Sequence, residues 1–561
     1  MTKRELAAMG FAVATASLGA VFPHAQGRGA AEWTTSGFDA QRTGWVRTDP
    51  RISVEAMQKL GAFAAFKFLW KLKLEHDPTA ATLLTEPILL DRLIGFRGFK
   101  SIAFVATASE TVHAIDIDFG IPLWKYHINY SASPPPLLAG PPACPGGLSA
   151  ALSRPTAIAP FSFAAGPGGG RGGRSGGGVG EPGKGATTLP AADRRPGSVS
   201  GSVPGSASAS VPGTVPGSAA AAAGAAPGGL PGGARQGGPG GGAGTPFVPG
   251  ADAAYVIGSD GYLHALNVSN GWDSMTPALF LPANARALGL TIATGGDGAA
   301  VAYVATTHGC GSQPDAVWGM DLASPQKTVV AFKAGGASIA GASGPTLGRD
   351  GSVYVATTDG SSSLSNAVVA LEPKTLKLKA SATVTKADFN SSPLIFQWKD
   401  RDAVAVVGRG KLFVFDAAML QAGPIASVSL VRGAGETGAL ASWLDEQNTR
   451  WIAVPTSRAV AAFKVVEQDG KTALQPGWTS RAIGAPLGPL VINGVLFTAS
   501  SGTRSAPAVL YAIDAATGKD LWNSGKAMTS IVRGGLSGGQ GNVYVPASDG
   551  TLYAFGFDIE K

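Results

Sequence analysis

The chain has 561 residues, with 44 Lys and Arg against 37 Asp and Glu, a net charge of +7. Between residues 161 and 250, Arg171, Arg174, Lys184, Arg194, Arg195 and Arg235 stand against Glu181 and Asp193, so 6 − 2 = +4 of that excess sits in one stretch. No clustered basic face is left for the rest of the chain, which excludes nucleic acid as the expected partner.

In chain order, Lys3 and Arg4 precede a nearly uncharged run from Leu6 to Phe22, and small residues follow at Ala25, Gly27, Gly29 and Ala30. This is the pattern of an export signal over residues 1–30. The other reading is an uncleaved membrane anchor, because the run approaches spanning length. No later run reaches ~18 uninterrupted apolar residues, so no transmembrane segment is expected in the mature chain. The expected location is periplasmic or extracellular. There the only two cysteines, Cys144 and Cys310, can pair, although sequence does not tell whether they lie within reach. No Cys-x-x-Cys-His is present, so no c-type haem attachment is expected.

From residue 31 onward repeats dominate. Val112-His113-Ala114-Ile115-Asp116 and Leu510-Tyr511-Ala512-Ile513-Asp514 match; in both, Gly follows the Asp by four residues (Gly120, Gly518) and Trp by eight (Trp124, Trp522). Looser copies put corresponding positions at Asn267, Asp321, Glu372, Asp416, Lys464, Asp514 and Gly556, spaced 42 to 54 residues apart. That interval suits a four-stranded propeller blade. Runs such as Ser352 to Ala356 and Asn542 to Pro546 are β-branched and aromatic. Ser-Asp-Gly or Thr-Asp-Gly follows as a hairpin signal, because Gly tolerates positive φ. Helical periodicity is confined to the region of Val54 to Phe66. The expected fold is all-β: an eight-bladed propeller. Its C-terminal copy lacks an outer strand, which the alternating run Phe68 to Leu74 supplies, closing the ring and removing a sheet edge.

Residues 161–250 are rich in Gly, Pro, Ala and Ser, with Val-Pro-Gly at Val203, Val211 and Val215. Such a stretch cannot bury enough apolar surface to fold, so a disordered insert in the second blade is expected. The layout is then propeller lead-in and first blades over 31–160, insert, and remaining blades over 251–561. Within the insert, Gly178 to Lys184 imitates a phosphate loop. Gly185 stands where Ser or Thr should reach the metal, and neither strand nor helix flanks it.

The six His residues show no metal-ligand spacing, and none of the expected site residues is a metal ligand. His113 and His264 occupy equivalent repeat positions, which argues for packing, as it does for Trp124 and Trp522. No Gly-x-Ser-x-Gly elbow supports a serine hydrolase.

The pattern Ala-x-Asp-x-x-x-Gly-x-x-x-Trp, followed throughout by Ala114 to Trp124 and Ala512 to Trp522, resembles the repeat of pyrroloquinoline-quinone (PQQ) type propellers. The lead-in Trp33 to Thr43 also resembles that family, and the likeness covers roughly residues 33–160 and 251–561. The resemblance implies one of two classes. The first is periplasmic quinoprotein dehydrogenases, which oxidise alcohols or sugars with PQQ and calcium. The second is non-catalytic propellers such as the outer-membrane assembly scaffold. For the first class, the resemblance points to Ala387-Asp388-Phe389-Asn390 before a blade's first strand. Asp388 would be the base, with Asn390 and Arg409 touching the cofactor. Residue 387 is Ala where those enzymes carry Trp, and no adjacent cysteine pair exists. The bland reading of Asp388 and Asn390 is turn chemistry, and that of Arg409 a solvated turn residue. The leading expectation is an exported binding or scaffold propeller with a protein partner or small molecule at its axis. A quinoprotein oxidoreductase and a cell-surface adhesion propeller are the alternatives.

Overall fold

The computed structural model describes residues 32–59, 65–74, 84–95, 98–128, 144, 147–158, 252–431 and 439–558. Eight sheets succeed one another in a propeller. Blade 1 takes residues 88–127, blade 2 253–279, blade 3 286–333 and blade 4 337–383. Blade 5 takes 394–429, blade 6 441–479, blade 7 490–523 and blade 8 537–556. Within each blade neighbouring strands pair antiparallel, from inner to outer, and in blade 4 both Ala337–Ile339 and Thr346–Leu347 pair with Val353–Gly360. The middle strands are buried on both faces, as Ala300–Thr307 and Asn542–Pro546 illustrate, so each reads as a continuous run of Ala, Val and aromatic side chains.

Ring closure is as the sequence predicts. Strand Lys67–Lys73 pairs antiparallel with Thr551–Gly556, Lys67 opposite Gly556 and Lys73 opposite Thr551, and supplies the outer strand of blade 8. Helix is confined to Val54–Gln58 and two short 3-10 turns among the described residues. Ser153 bridges to Tyr255 at the inner edge of blade 2, so blade 2 is the one interrupted between residues 158 and 252. The expected export signal, low-complexity insert and phosphate-loop imitation lie outside the described residues.

The structure gives the repeat motif a physical meaning. Its acidic or Asn position opens the turn to the outer strand: Asp116, Asn267, Asp321, Asp416 and Asp514 each accept the backbone N–H two residues on through Oδ1. The Gly four residues later returns its N–H to the carbonyl of that Asp or Asn, at positive φ, in Gly120, Gly271 and Gly518. The indole of the preceding blade lies flat against the space where a Cβ would be. Trp70 covers Gly120, Trp124 covers Gly271 and Trp478 covers Gly518. Each indole Nε1 donates to a carbonyl in the same turn: Trp70 to Ile117 (3.2 Å), Trp124 to Val268 (2.9 Å) and Trp478 to Ala515 (2.9 Å). The Gly and the Trp of one repeat therefore serve opposite interfaces. The Gly receives an indole from the blade before, and the Trp latches onto the blade after. Trp522 packs edge-on against Phe66 and Phe555 of the closing blade. His113 and His264 are both buried, and His264 Nδ1 lies 3.0 Å from Asp273 Oδ2, which also accepts the Tyr126 hydroxyl.

Cys144 and Cys310 form a disulfide with Cα atoms 5.5 Å apart, joining the chain ahead of blade 2 to blade 3 across 166 residues of sequence. Because a long loop is closed, replacing both cysteines by serine is expected to cost about 2–5 kcal/mol. An unchanged urea midpoint in the double variant would refute this.

Glu110 occupies the turn of blade 1 that faces blade 2, where its carboxylate accepts the Ser259 N–H (3.2 Å). Burial pushes its pKa up to about 7, against an ordinary 4.5, and the Ser259 hydrogen bond only partly opposes the shift. A carboxyl raised in the folded state adds stability that is complete below the unfolded value and lost as pH climbs through about 7. Glu110→Gln is therefore expected to be more stable than the parent at pH 8, by about 2 kcal/mol, and nearly equal to it at pH 5. Denaturation midpoints at the two pH values read this directly.

Candidate functional site: the axial cavity

The lead-in Trp33–Gly44 is the structural hub, and it becomes an axial segment. Its carbonyls accept backbone N–H groups from inner strands around the ring. Leu89 bonds to Trp33 (2.8 Å), Arg154 to Thr34 (2.7 Å) and Leu347 to Ala40 (2.8 Å). Ile395 bonds to Gln41 (3.0 Å), Ser442 to Thr43 (2.9 Å) and Val491 to Gly44 (2.7 Å). Blade 3 is reached by the Thr35 hydroxyl, which donates to the Leu290 carbonyl (2.7 Å), and blade 8 by Asp49, which accepts the Gly541 N–H (2.8 Å). Strand Trp45–Val46 then runs parallel to Leu490–Ile492.

Two charged groups fix this segment. Arg42 is buried, and its guanidinium donates to the carbonyls of Pro345, Gly289 and Ser36 and to the hydroxyls of Thr35 and Thr291. Burial lowers its pKa to about 10, opposed by Glu86 and Asp39, and a guanidinium at that value stays charged. Glu86, just before blade 1, accepts the Trp33 Nε1–H (2.8 Å), the Ser36 hydroxyl (2.7 Å) and the Gly37 N–H (2.8 Å). Burial pushes its carboxyl up and these three donors pull it back.

Against the axial segment lies a cavity of about 390 Å³. Its wall is made by the chain stretches that enter successive inner strands. Leu84 to Glu86 lead into blade 1 and Leu148, Ser149 and Ala151 into blade 2, while Arg286 and Leu288 belong to blade 3 and Ala342 and Ser343 to blade 4. Ala439 and Leu440 lead into blade 6, Ala485 to Pro489 into blade 7, and Val532 to Leu536 into blade 8. Trp33, Ser36, Gly37 and Gly44 belong to the axial segment itself. The lining is mostly Leu, Ala, Pro and Gly, with Arg286 and Arg533 as its cations and Glu86 as its carboxylate. Burial alone lowers the Arg286 pKa.

The structure brings Asp388 and Arg409 together, with Arg409 Nε 3.9 Å from Asp388 Oδ2, both side chains about half exposed. Neither lines the cavity. Asp388 sits in the connection into blade 5 and Arg409 in a hairpin of that blade, at φ 41° and 40°. Asp388 Oδ1 also accepts the Asp359 N–H (3.2 Å), and its own N–H donates to the Asn366 side chain. Asn390 is held through its backbone N–H, which donates to the Val407 carbonyl (3.0 Å).

Pyrroloquinoline quinone is a flat, multiply carboxylated group. It needs a stacking aromatic, fixed cations, and oxygen ligands for calcium. The cavity offers one indole, Trp33, tied by its Nε1 to Glu86, and one carboxylate, Glu86, already engaged by three donors. No group of three or more His, Cys, Asp or Glu able to hold a metal occurs among the described residues. This donor set does not fit the calcium-bound quinone. Sequence reasoning singled out the Trp33 to Thr43 segment but missed Arg42 and Glu86. The available signal was a pair of charges in otherwise apolar or small surroundings, in a chain where only 14% of residues are charged.

No family model and no curated protein matches this sequence. Solved structures do match. The quinohemoprotein alcohol dehydrogenase from Comamonas testosteroni has 13% identity and a TM-score of 0.51, over 95% of this chain and 82% of that one. A quinohemoprotein alcohol dehydrogenase from Pseudomonas putida HK5 has 11% identity and a TM-score of 0.53, over 95% and 81%. A europium-containing methanol dehydrogenase has 11% identity and a TM-score of 0.50, over 94% and 98%. At such identities a likeness carries the architecture and not the activity. Taken with the latched Trp-on-Gly repeats, it makes the chain an eight-bladed β-propeller.

Proposed function

We propose that this protein is an exported binding propeller whose axial cavity receives a ligand or partner segment with an apolar body and negative charge. The observation that carries the reading is the cavity wall, apolar with Arg286 and Arg533 as its cations. A concave, mainly apolar pocket with few polar groups is the usual form of a small-ligand site. The acid–base pair Asp388–Arg409 stands outside it, which favours binding over oxidation at the axis. Export is supported by the basic-then-apolar N-terminus and by the Cys144–Cys310 disulfide, a bond that persists in oxidising compartments.

The probe is anilinonaphthalene sulfonate, an apolar anion. The purified protein is expected to bind it saturably at one site, and Leu440→Trp and Arg533→Glu to weaken that binding about tenfold or more. Equal binding by all three proteins would overturn the assignment of the cavity. Titration with PQQ and Ca²⁺ is expected to give no saturable quinone absorbance. Dye-linked alcohol oxidation by the reconstituted protein would establish the oxidoreductase reading instead.

A further inference from the structure

Beyond Gly44 the chain leaves the cavity wall and places Trp45 and Arg47 beside blades 6 and 7. Arg450 begins the second strand of blade 6, opposite Leu444 at the far end of an inner strand whose near end adjoins the cavity residue Leu440. The Arg450 guanidinium lies 5.6 Å from the Trp45 ring centre and 5.8 Å from that of Phe396, and Arg47 lies 4.9 Å from the same Trp45 ring.

Arg450 is only 6% exposed, and its Nε is shielded from solvent with no acceptor. A guanidinium carries five donors in a fixed fork and cannot neutralise itself at ordinary pH. Buried donors without acceptors are rare, and an ion is one of the few explanations for them. Ring faces offset part of the cost of burying the charge but accept no such fork of hydrogen bonds. Arg47 adds to that cost: together with burial it lowers the Arg450 pKa to about 10. The carboxylate that faces Arg47, Asp39, is itself bonded to the Thr43 N–H and hydroxyl. Elsewhere the protein pairs its arginines with acids, as in Arg349–Asp402, Arg401–Asp416 and Arg481–Asp520.

We propose that Arg47 and Arg450 form a binding site for a small oxyanion, phosphate or carboxylate, beside Trp45. The planar forks suit two-point hydrogen bonding to either oxyanion. The exposed Arg47 receives it and the buried Arg450 anchors it. An occupant would tie the axial segment to blade 6 and so stabilise the hub. This site is independent of what the axial cavity binds.

The test is calorimetric titration of the purified protein with inorganic phosphate and, separately, with acetate, at ionic strength matched with chloride. Saturable binding of at least one oxyanion is expected, with the tighter of the two naming the source chemistry. Arg47→Gln, at an exposed position, is expected to weaken it about tenfold or more, and Arg450→Gln to abolish it. Arg450→Lys, which keeps charge without the fork, is expected to fall between, and Arg409→Gln to leave binding unchanged. Should Arg450→Gln fail to fold, Arg47→Gln decides. The proposal is overturned if neither oxyanion binds up to about 10 mM, or if Arg47→Gln binds as tightly as the parent.

Discussion

Arg42→Met is expected to destabilise the protein by about 4 kcal/mol, among the largest effects of any single substitution here. The side chain is buried, and its head satisfies three backbone carbonyls, Gly289 of blade 3, Pro345 of blade 4 and Ser36 of the axial segment itself. Methionine keeps most of the stem volume, so the loss isolates the hydrogen bonds. Each acceptor left unsatisfied in the interior costs about 1–3 kcal/mol, and partial access of water lowers the total. Arg42→Lys, which keeps the charge but lacks the fork, is expected to lose less. The pH dependence has a definite sign. Arg42 is one of the groups that hold the Glu86 carboxyl down against burial. Without it that carboxyl rises further above its unfolded value of 4.5. A raised carboxyl loses its stabilising contribution as pH climbs through the folded pKa, so the variant should suffer more at pH 8 than at pH 5. Denaturant midpoints at both values measure this, and a loss under about 1 kcal/mol at both would show that the axial segment is not held by Arg42.

Much of this architecture is legible in the sequence because a blade is a local object. Asp-Gly hairpins and the Asp, Gly and Trp at fixed offsets all arise within some twenty residues. Their chemistry, an Asx turn followed by a left-handed glycine, is set by nearest neighbours. Closure by the run Phe68 to Leu74, formed in the structure by Lys67–Lys73, was legible from a deficit, since the last repeat has no outer strand of its own. The Trp residues outside the strict repeat were harder. Trp70 and Trp478 dock on Gly120 and Gly518, yet neither stands eight residues after an acidic position. The glycine was the better signal: a Gly four residues after a blade's Asp calls for an indole from the preceding blade. The axial site resists sequence reading for a different reason. Its wall is assembled from stretches of seven blades and the axial segment, and radial distance from the axis leaves no mark on composition. Asp388 and Arg409 illustrate this, because they stand at the two ends of one blade's first strands while their side chains meet outside the cavity. The partners of Arg42 at Gly289 and Pro345 lie some 250 and 300 residues away, with nothing in either stretch to announce them.

Gly271→Ala is expected to cost about 3 kcal/mol, through two separable causes. The residue has φ +76°, where a side chain costs about 1–2 kcal/mol. The new Cβ would also stand 2.5 Å from Trp124 Cε3 and 2.8 Å from its Cδ2. The indole must then tilt away, and the bond from its Nε1 to the Val268 carbonyl goes with it. Such overpacking adds about 1–3 kcal/mol. Gly470→Ala separates the two causes, because Gly470 has a similar φ of +73° in a hairpin turn and nothing within 4 Å of the space a Cβ would fill. It should lose only the backbone part. Trp124→Leu provides the second control. In that background Gly271→Ala should cost no more than Gly470→Ala, giving a coupling of about 2 kcal/mol between Trp124 and Gly271 in a double-mutant cycle. If Gly271→Ala and Gly470→Ala proved equally damaging, the indole would be a bystander at the blade interface. If the coupling appears, the Trp of one blade and the Gly of the next act as a single unit. The regular spacing of the repeat along the chain would then record contacts made between blades rather than within them.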